Sequence, residues 1–301
     1  MPRSLTLMTV HAHPDDETIG TGGVMARYAA EGQRVICVTC TNGEMGEIVV
    51  PELDTPENHE RLADLRRGEL ARALSRLGPI EQHWLGYRDS DMMGRAGNDD
   101  PRCFWQADLD EATGRLVRLV RETRPDVLVG YNEFGGYGHP DHIRSGQVAR
   151  LAFERAADPN AYPEQLRDGL DPWRAGKLYE TVIDLARRVE IQKLLEERGV
   201  RSWWEGGEDE TEEERLAREE LLERMTQARG PLTTRVDVVP WLEAKYAALQ
   251  EHVTQIAPDS PFMALTPEDS RQIQPTEDFT LRVSHVGVHI PEDDLFAGLR
   301  E

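Results

Sequence analysis

The sequence of 301 residues predicts an α/β fold built on a mostly parallel β-sheet flanked by helices. Short apolar runs alternate along the chain with longer segments whose apolar residues recur at helical spacing. This alternation is typical of right-handed βαβ units, in which each helix covers a face of the sheet. The carboxyl ends of the parallel strands then share one edge, where open α/β sheets bind their ligands.

The predicted elements follow one another in a regular order, and each has its own local signal. Residues 5–10 form a buried apolar strand, and residues 21–32 form a helix that ends at a glycine, a typical helix stop. Residues 34–41 form a second strand, and residues 56–78 form a helix with leucines near helical spacing. The remaining elements are a strand at 81–86, a helix at 108–125, a strand at 126–131, a helix at 139–157 and a strand at 177–183.

The composition changes after about residue 200, and this change predicts two regions. Residues 1–200 form the α/β core, and residues 201–301 form a C-terminal extension that packs on the core and contributes to the substrate pocket. Within the extension, residues 205–230 are highly charged, which favours a solvated surface helix over an acidic interaction tail. Residues 233–256 predict a strand followed by a helix.

Charge and composition exclude several classes of partner. The formal net charge of −21 repels nucleic-acid phosphates and anionic membranes, so a neutral or cationic small molecule is the expected substrate. No apolar run is long enough to predict a transmembrane helix, and the N-terminal apolar run is too short for a signal peptide. We therefore expect a cytoplasmic protein without nucleic-acid or membrane partners, and the oligomeric state is open.

Cysteines and glycines form two weaker patterns. The three cysteines are an odd number and do not suggest a disulfide scaffold. Cys37 and Cys40 have the C-x-x-C spacing of redox and zinc sites, but residues three apart on a strand point to opposite faces. The glycine-rich residues 20–23 do not complete a dinucleotide-binding fingerprint. Neither pattern predicts a site.

Two segments concentrate ionisable residues directly after predicted strands. The first is "VHAHPDDETIGTGG" from Val10, the second is "GGYGHPDHIRSG" from Gly135, and both contain His-Pro-Asp. Because parallel strands end at one edge of the sheet, the two segments can converge there. His11 precedes the first motif on the strand and is expected to be structural. The residues with chemical potential are His13, Asp15, Asp16, Glu17, Tyr137, His139, Asp141 and His142.

These residue types fit a catalytic zinc site. Such a site takes three ligands of the His and Asp/Glu type and leaves one position open for water. Two neutral histidines and one carboxylate leave the site positive, which lowers the pKa of bound water and polarises a carbonyl. A further carboxylate can act as general base. His139 and His142 are three residues apart at a helix start, so their rings lie on roughly one side.

The motifs "AHPDDE" (residues 12–17) and "GYGHPDH" (residues 136–142) resemble those of the PIG-L/LmbE-type zinc deacetylases. The resemblance is strong over residues 5–155 and weaker through residues 251–256 and 291–299. It implies a Rossmann-like α/β fold and hydrolysis of the amide of an N-acyl-glucosamine unit. The expected substrate is a GlcNAc-inositol-type glycoside of low-molecular-weight thiol metabolism. Mycothiol S-conjugate amidase activity, or deacetylation of another N-acetyl amino sugar, is the alternative.

The same resemblance implies which residues hold the metal. His13, Asp16 and His142 match the zinc ligands, with one ion per chain, and Asp15 matches the general base. Iron(II) would also suit a His/His/Asp set. Glu17, next in the motif, is expected to support these residues from outside the ligand set.

The resemblance also implies which residues act on the substrate. Tyr137 matches a residue that polarises the carbonyl and stabilises the tetrahedral oxyanion. His139 matches a residue that assists the oxyanion or the leaving amine, and Asp141 is expected beside it as an orienting partner. Arg66 and Asp89 match positions that hold the sugar-inositol substrate.

Two functions of other classes stay open at this point. A metallophosphoesterase would need more carboxylates to bridge two ions, whereas the sequence offers ligands for one. A non-catalytic sugar- or nucleotide-binding protein would not need two adjacent aspartates together with three histidines. The number of metal ions per chain separates these possibilities.

Overall fold

Seven strands form one sheet within the residues that the computed structural model describes, which are 3–182, 184–202, 205–207 and 210–300. The strands are β1 (Thr6–His11), β2 (Arg34–Thr41), β3 (Ile80–Tyr87), β4 (Val127–Gly130), β5 (Lys177–Thr181), β6 (Thr234–Asp237) and β7 (Thr276–Ser284). Their order is β3-β2-β1-β4-β5-β7-β6. Strands β1 to β5 run parallel, whereas β7 is antiparallel to β5 and β6. The predicted α/β fold is therefore confirmed.

Helices cover both faces of the sheet. They are α1 (Asp16–Ala30), α2 (Pro56–Glu60), α3 (Leu62–Leu77), α4 (Leu109–Thr123), α5 (Pro140–Arg155), α6 (Pro163–Arg167), α7 (Leu185–Glu197), α8 (Glu212–Ala228), α9 (Leu242–Leu249), α10 (Pro261–Ala264) and α11 (Pro267–Ile273). Helices α1, α3 and α9 pack on one face, and α4 and α5 pack on the other. Cys37 lies in the first core and Cys40 in the second, as expected for opposite faces of β2. Within the described ranges, no helix has the length and apolarity to cross a membrane.

The predicted helix at 56–78 is divided in two, so the prediction of one continuous helix was wrong. Arg61, between α2 and α3, has φ −108° and ψ 6°, which is outside the helical region. Helix α2 buries no side chain, whereas α3 buries a stripe that includes Arg66 and Glu69. The leucines that indicated a helix all follow the break, so the periodic signal never covered α2.

The C-terminal extension supplies two strands of the sheet. Strand β6 corresponds to the strand predicted at the start of 233–256. Strand β7 was not predicted, because Glu277 and Asp278 near its start are charged and yet buried. Asp278 lies 3.1 Å from Arg187, so its burial is compensated by an ion pair. The extension is thus continuous with the core through the sheet itself.

The glycines at 20–23 allow a close approach between α1 and the C-terminal strands. The backbone N–H groups of Gly23 and Val24 donate to the Glu277 carboxylate at 2.8 Å each. A Cβ atom on Gly23 would lie 2.7 Å from Val238 and 2.9 Å from Glu277 Oε1. The glycine-rich stretch therefore serves packing, in agreement with its poor match to a dinucleotide fingerprint.

Helix α8 is the charged helix predicted within 205–230. It begins after Thr211, whose side chain forms a capping box with Glu214. It buries no side chain, which agrees with a solvated surface helix. Residues 208 and 209 of the predicted helix lie outside the described residues.

A buried ion pair joins the last segment of the chain to the sheet. Lys177 Nζ lies 2.6 Å from Glu292 Oε1, and both side chains are fully buried. The Tyr179 hydroxyl also donates to Glu292 Oε2 at 2.7 Å. Removal of one partner leaves an uncompensated buried charge, so we expect Glu292→Ala to lower the free energy of unfolding by about 3–5 kcal/mol. Urea denaturation measures this change.

The neighbouring exposed residue Asp293 provides a matched control for that substitution. Surface substitutions usually change stability by at most about 0.5 kcal/mol, so Asp293→Ala should unfold at nearly the wild-type urea concentration. Equal urea midpoints for the two variants would show that the pair does not stabilise the fold.

Candidate metal centre and active site

Two connections at one edge of the sheet bring the ionisable segments together. His13 and Asp15 lie between the end of β1 and the start of α1 at Asp16. Tyr137 and His139 lie between β4 and α5. Because β1 and β4 are neighbouring parallel strands, both connections leave the sheet at the same edge.

Donor atoms of His13, Asp16 and His142 form a nearly equilateral triangle. His13 Nδ1 lies 3.4 Å from Asp16 Oδ2 and 3.3 Å from His142 Nε2. His142 Nε2 lies 3.3 Å from Asp16 Oδ2. Ligands about 2.0–2.1 Å from a tetrahedral zinc ion lie roughly 3.4 Å from one another. The three atoms therefore have the mutual spacing of three corners of a tetrahedral metal site.

The charges around this triangle favour a cation. Burial opposes ionisation of His13, but Asp89, Asp141 and Asp16 together raise its pKa well above the ordinary value. Burial also opposes ionisation of Asp16, yet His142 and His13 hold its pKa well below the ordinary value. Since ligand histidines bind metal in their neutral form, a metal ion would take the place of a proton on His13.

The Asp141 carboxylate holds His13. Asp141 is fully buried, and its Oδ2 lies 3.2 Å from His13 Nε2. Ser90 donates to the same carboxylate through its N–H at 2.9 Å and through its hydroxyl. Asp141 was expected to orient His139, but its carboxylate contacts His13 instead. Between Asp141 and His139, the hydrogen bond runs from the Asp141 backbone N–H to His139 Nδ1. A carboxylate on the far nitrogen fixes a ligand histidine with its other nitrogen toward the metal.

Asp15 has the environment of a general base. Its carboxylate lies 3.1 Å from Arg66 Nη2. Burial raises the pKa of the Asp15 carboxyl to about 6, although Arg66 opposes this shift. A general base works best when its pKa lies near the operating pH. Its backbone has φ +116°, which is rare for a residue other than glycine and is typical of functional sites.

Arg66 holds the loops around Asp15. It is buried, and it donates to the carbonyl oxygens of Gly43 at 2.7 Å and Pro14 at 2.6 Å. Gly43 has φ +67°, and a Cβ there would lie 2.2 Å from Arg66 Nη1. The guanidinium already binds Gly43, Pro14 and Asp15. A role of Arg66 in holding substrate therefore stays a prediction.

His139 and Tyr137 flank the triangle. The ring of His139 lies 4.5 Å from that of His13. Burial, with His13 and His142 nearby, lowers the pKa of His139, so the ring is neutral. Its Nδ1 accepts a hydrogen bond, so its proton is on Nε2. The Tyr137 hydroxyl lies 3.4 Å from His142 Nε2, the nitrogen that belongs to the donor triangle.

Asp89 belongs to a second group of potential donors. Its Oδ1 lies 3.8 Å from His13 Nε2, and its carboxylate also accepts the N–H groups of Met45 and Asp91. Asp89, His13, His139 and Asp141 place one donor atom each within 4.8 Å of one another. This group shares His13 with the triangle, and the shared ring already uses Nε2 toward Asp141. Simultaneous ions at both groups would require His13 to lose both ring protons.

Comparison with known proteins places the chain in a family. Residues 8–153 match the PIG-L family, described as GlcNAc-PI de-N-acetylase. The chain is 42% identical to the 1D-myo-inositol 2-acetamido-2-deoxy-α-D-glucopyranoside deacetylase of Thermobispora bispora, over 97% of this chain and 98% of that protein. It is 41% identical to the 1D-myo-inositol 2-acetamido-2-deoxy-α-D-glucopyranoside deacetylase 1 of Frankia alni, over 96% of this chain and 99% of that protein. The chain belongs to the PIG-L family.

Solved structures with the same fold include a deacetylase and a hydratase. The N,N'-diacetylchitobiose deacetylase of Pyrococcus horikoshii superposes with a TM-score of 0.62 and 21% sequence identity. The superposition covers 93% of this chain and 84% of that protein. GalB, the 4-carboxy-2-hydroxymuconate hydratase of Pseudomonas putida, superposes with a TM-score of 0.63 and 18% sequence identity, over 95% of this chain and 99% of that protein. At these identities the comparison shows the fold alone, so the reaction has to be argued from the site.

Several residues that contact the candidate site were not predicted. Ser90 binds Asp141, and the ring of Tyr131 lies 4.5 Å from that of His142. His252, from the extension, contacts Glu17. Ser90 directly follows Asp89, and Tyr131 ends a predicted strand. Their positions in the sequence could therefore have indicated that both lie near the site. The sequence segment around His252 resembled the family but carried no indication of its contact.

His11 is structural, as expected. Its Nε2 lies 3.0 Å from the Thr21 hydroxyl, and its Nδ1 lies 3.4 Å from the Tyr131 hydroxyl. Burial lowers the pKa of His11 to about 4. The ring therefore joins β1 to α1 as a neutral group.

Loss of the Asp141 carboxylate should weaken metal binding. We expect Asp141→Asn to lower metal affinity by about 10–100-fold, since outer partners of metal ligands typically contribute this much. Competition with a chelator measures the affinity. Asp110→Asn is the control, because the Asp110 side chain is 69% exposed. An unchanged affinity in Asp141→Asn would contradict the role assigned to the His13–Asp141 contact.

Proposed function

We propose that the protein hydrolyses the acetamide of 1D-myo-inositol 2-acetamido-2-deoxy-α-D-glucopyranoside, releasing acetate and the free amine. The observation that carries this proposal is the triangle of His13, Asp16 and His142, which lies beside the partly buried carboxylate of Asp15 in a PIG-L chain. Near-full-length identity of 41–42% to deacetylases of that substrate supports the choice of glycoside.

We propose zinc as the metal, held by His13, Asp16 and His142, with iron(II) as the other ion that suits these ligands. When bound, the ion supplies Lewis acidity and lowers the pKa of water. The two neutral nitrogens and one carboxylate oxygen of the triangle are the donor set of catalytic zinc sites. A single ion per chain follows, because the second donor group competes for His13.

The residues around the triangle divide the proton transfers of amide hydrolysis among them. Asp15 accepts a proton from the attacking water, while the water oxygen forms a bond to the acyl carbon. Arg66 keeps the Asp15 carboxylate in place through the contact at 3.1 Å. The Tyr137 hydroxyl and the His139 Nε2–H are the donors for the developing oxyanion. The C–N bond then breaks as the nitrogen takes from Asp15 the proton that came from the water, while the neutral His139 ring serves as a hydrogen-bond donor only.

Substrate recognition is proposed to involve Arg66 and Asp89. Both side chains are buried beside His13 or Asp15, so they lie close to the reacting group. Burial raises the pKa of Asp89, but His13, the Asp91 N–H, His139 and Arg66 together lower it below its ordinary value. The ionised carboxylate can therefore accept hydrogen bonds from sugar hydroxyls.

His252 and the free cysteines support two further parts of the proposal, which concern the substrate pocket and the cellular location. We propose that residues 201–301 contribute to the substrate pocket, because His252 reaches the residues around Asp15. We propose a cytoplasmic location, because Cys37, Cys40 and Cys103 are free and buried, as is typical of a reducing compartment.

Amine release from competing substrates tests the choice of substrate. We expect kcat/KM to be highest for the GlcNAc-inositol glycoside, lower for N-acetylglucosamine, and lowest for a mycothiol S-conjugate. A higher kcat/KM for the S-conjugate would assign the chain to the amidase reaction instead. Metal analysis of the same sample should give one ion per chain, and two ions would favour a phosphoesterase-type site.

A further inference from the structure

Asp15 is held in an unusual backbone conformation from three directions. Its φ of +116° is one that side-chain-bearing residues rarely adopt. Its carbonyl accepts the N–H groups of Thr18 and Ile19, and its carboxylate contacts Arg66. Its own N–H donates to Glu17 Oε2 at 2.8 Å. The conformation of Asp15 therefore depends on where the Glu17 carboxylate lies.

The Glu17 carboxylate is fully buried and depends on a residue far along the chain. His252, which follows α9, lies with its Nε2 3.0 Å from Glu17 Oε1, and both side chains are fully buried. The Thr18 hydroxyl also donates to Glu17. Within the described ranges, His252 Nδ1 has no hydrogen-bond partner. The polar contacts of the ring are thus directed at Glu17 and Thr18.

The segment around His252 also contacts the other elements beside Asp15. Thr254 donates to the buried Glu69 carboxylate through its N–H at 3.0 Å and its hydroxyl at 2.8 Å. Glu69 lies one turn after Arg66 on α3. The carbonyl of Thr254 accepts the N–H of Val49, in the loop after β2. The C-terminal extension therefore reaches α1, α3 and this loop through one short segment.

We propose that His252 is a positioning residue, which orients Glu17 and through it holds the backbone of Asp15 for proton transfer. The inference rests on the proposed function, in which Asp15 is the general base. His252 is not a catalytic residue, since it contacts Glu17 rather than the donor triangle. Either the neutral Nε2–H form of the ring or the imidazolium can donate this hydrogen bond.

Two variants of similar size separate positioning from packing. His252→Leu fills the space but cannot donate, whereas His252→Gln retains an N–H donor for Glu17. A small misplacement of a catalytic group can cost about 10²-fold in rate, so we expect His252→Leu to lower kcat by about that factor. KM and the metal content should stay at wild-type values. His252→Gln should restore most of the lost kcat, and Val253→Ala, at an exposed neighbour, should change none of these quantities.

Several outcomes would overturn the proposal. An unchanged kcat in His252→Leu shows that Asp15 needs no support from this residue. Unfolding or metal loss in that variant, or a glutamine variant no better than the leucine variant, assigns His252 to the fold instead. If wild type fails to release amine, the proposed function fails, and a crystal structure of His252→Leu decides the inference. Movement of Asp15 away from φ +116° supports positioning, and an unmoved Asp15 refutes it.

Discussion

Replacement of Asp15 by asparagine is expected to lower kcat by about 10²–10⁴-fold while one metal ion stays bound, since general base catalysis typically contributes this factor. Asparagine keeps an oxygen for the contact with Arg66 at 3.1 Å but cannot take up a proton at neutral pH. The proposed ligands His13, Asp16 and His142 are untouched by the change. Steady-state kinetics and metal analysis of the same preparation measure the two quantities.

A surface aspartate provides the control for this loss. Asp168 is 55% exposed and pairs with Arg118, so Asp168→Asn should retain wild-type kcat and metal content. Near-normal turnover in Asp15→Asn would show that another group accepts the proton. Loss of metal together with turnover would instead show that Asp15 supports the ligands.

Removal of His142 is expected to abolish metal binding and, with it, turnover. Its Nε2 lies 3.3 Å from both other donor atoms, so His142→Ala leaves only two ligands. The loss of affinity should exceed the roughly 10–100-fold that follows from loss of an outer partner. The metal content after dialysis measures the loss of binding, and kcat in the presence of added zinc measures the loss of turnover.

An exposed histidine tests whether this effect is specific to the triangle. His289 is exposed, and His289→Ala should keep both metal and turnover. If His142→Ala retained one tightly bound ion, the ion would have to be held elsewhere, for example by the group that includes Asp89 and His139. That result would require a different assignment of the metal ligands.

The part of the site that could be predicted from the sequence is the part that follows strand ends. His13 and Asp16 follow β1, and His142 lies at the start of α5 after β4. Because neighbouring parallel strands end at one edge, the motifs meet without any knowledge of the rest of the chain. Alternation of strands and helices predicted the α/β fold for the same reason, since it depends only on local periodicity.

The remaining features depend on contacts between distant residues. Strand β7 begins with charged residues whose burial makes sense only once Glu277 meets the backbone of α1. The Asp141 carboxylate could not be assigned to His13 rather than His139, because adjacent positions in a turn project in directions that depend on its backbone. His252 is 235 positions from Glu17, and no local pattern records that contact.

The same fold supports different reactions, so the site carries the functional argument. A deacetylase and a hydratase share this fold with similar TM-scores of 0.62 and 0.63. What points to amide hydrolysis in this chain is a donor triangle beside Asp15, together with Tyr137 and His139, which are proposed as oxyanion donors. These groups converge from two connections whose geometry is set by β1 and β4.

Product analysis with the metal-loaded protein tests the central claim most directly. Incubation with the GlcNAc-inositol glycoside should release free amine and acetate in equal amounts. Turnover should stop when a chelator removes the metal and return when zinc is restored. Absence of amine release by the loaded protein, or release that continues after the metal is removed, would contradict the proposal of a metal-dependent deacetylase.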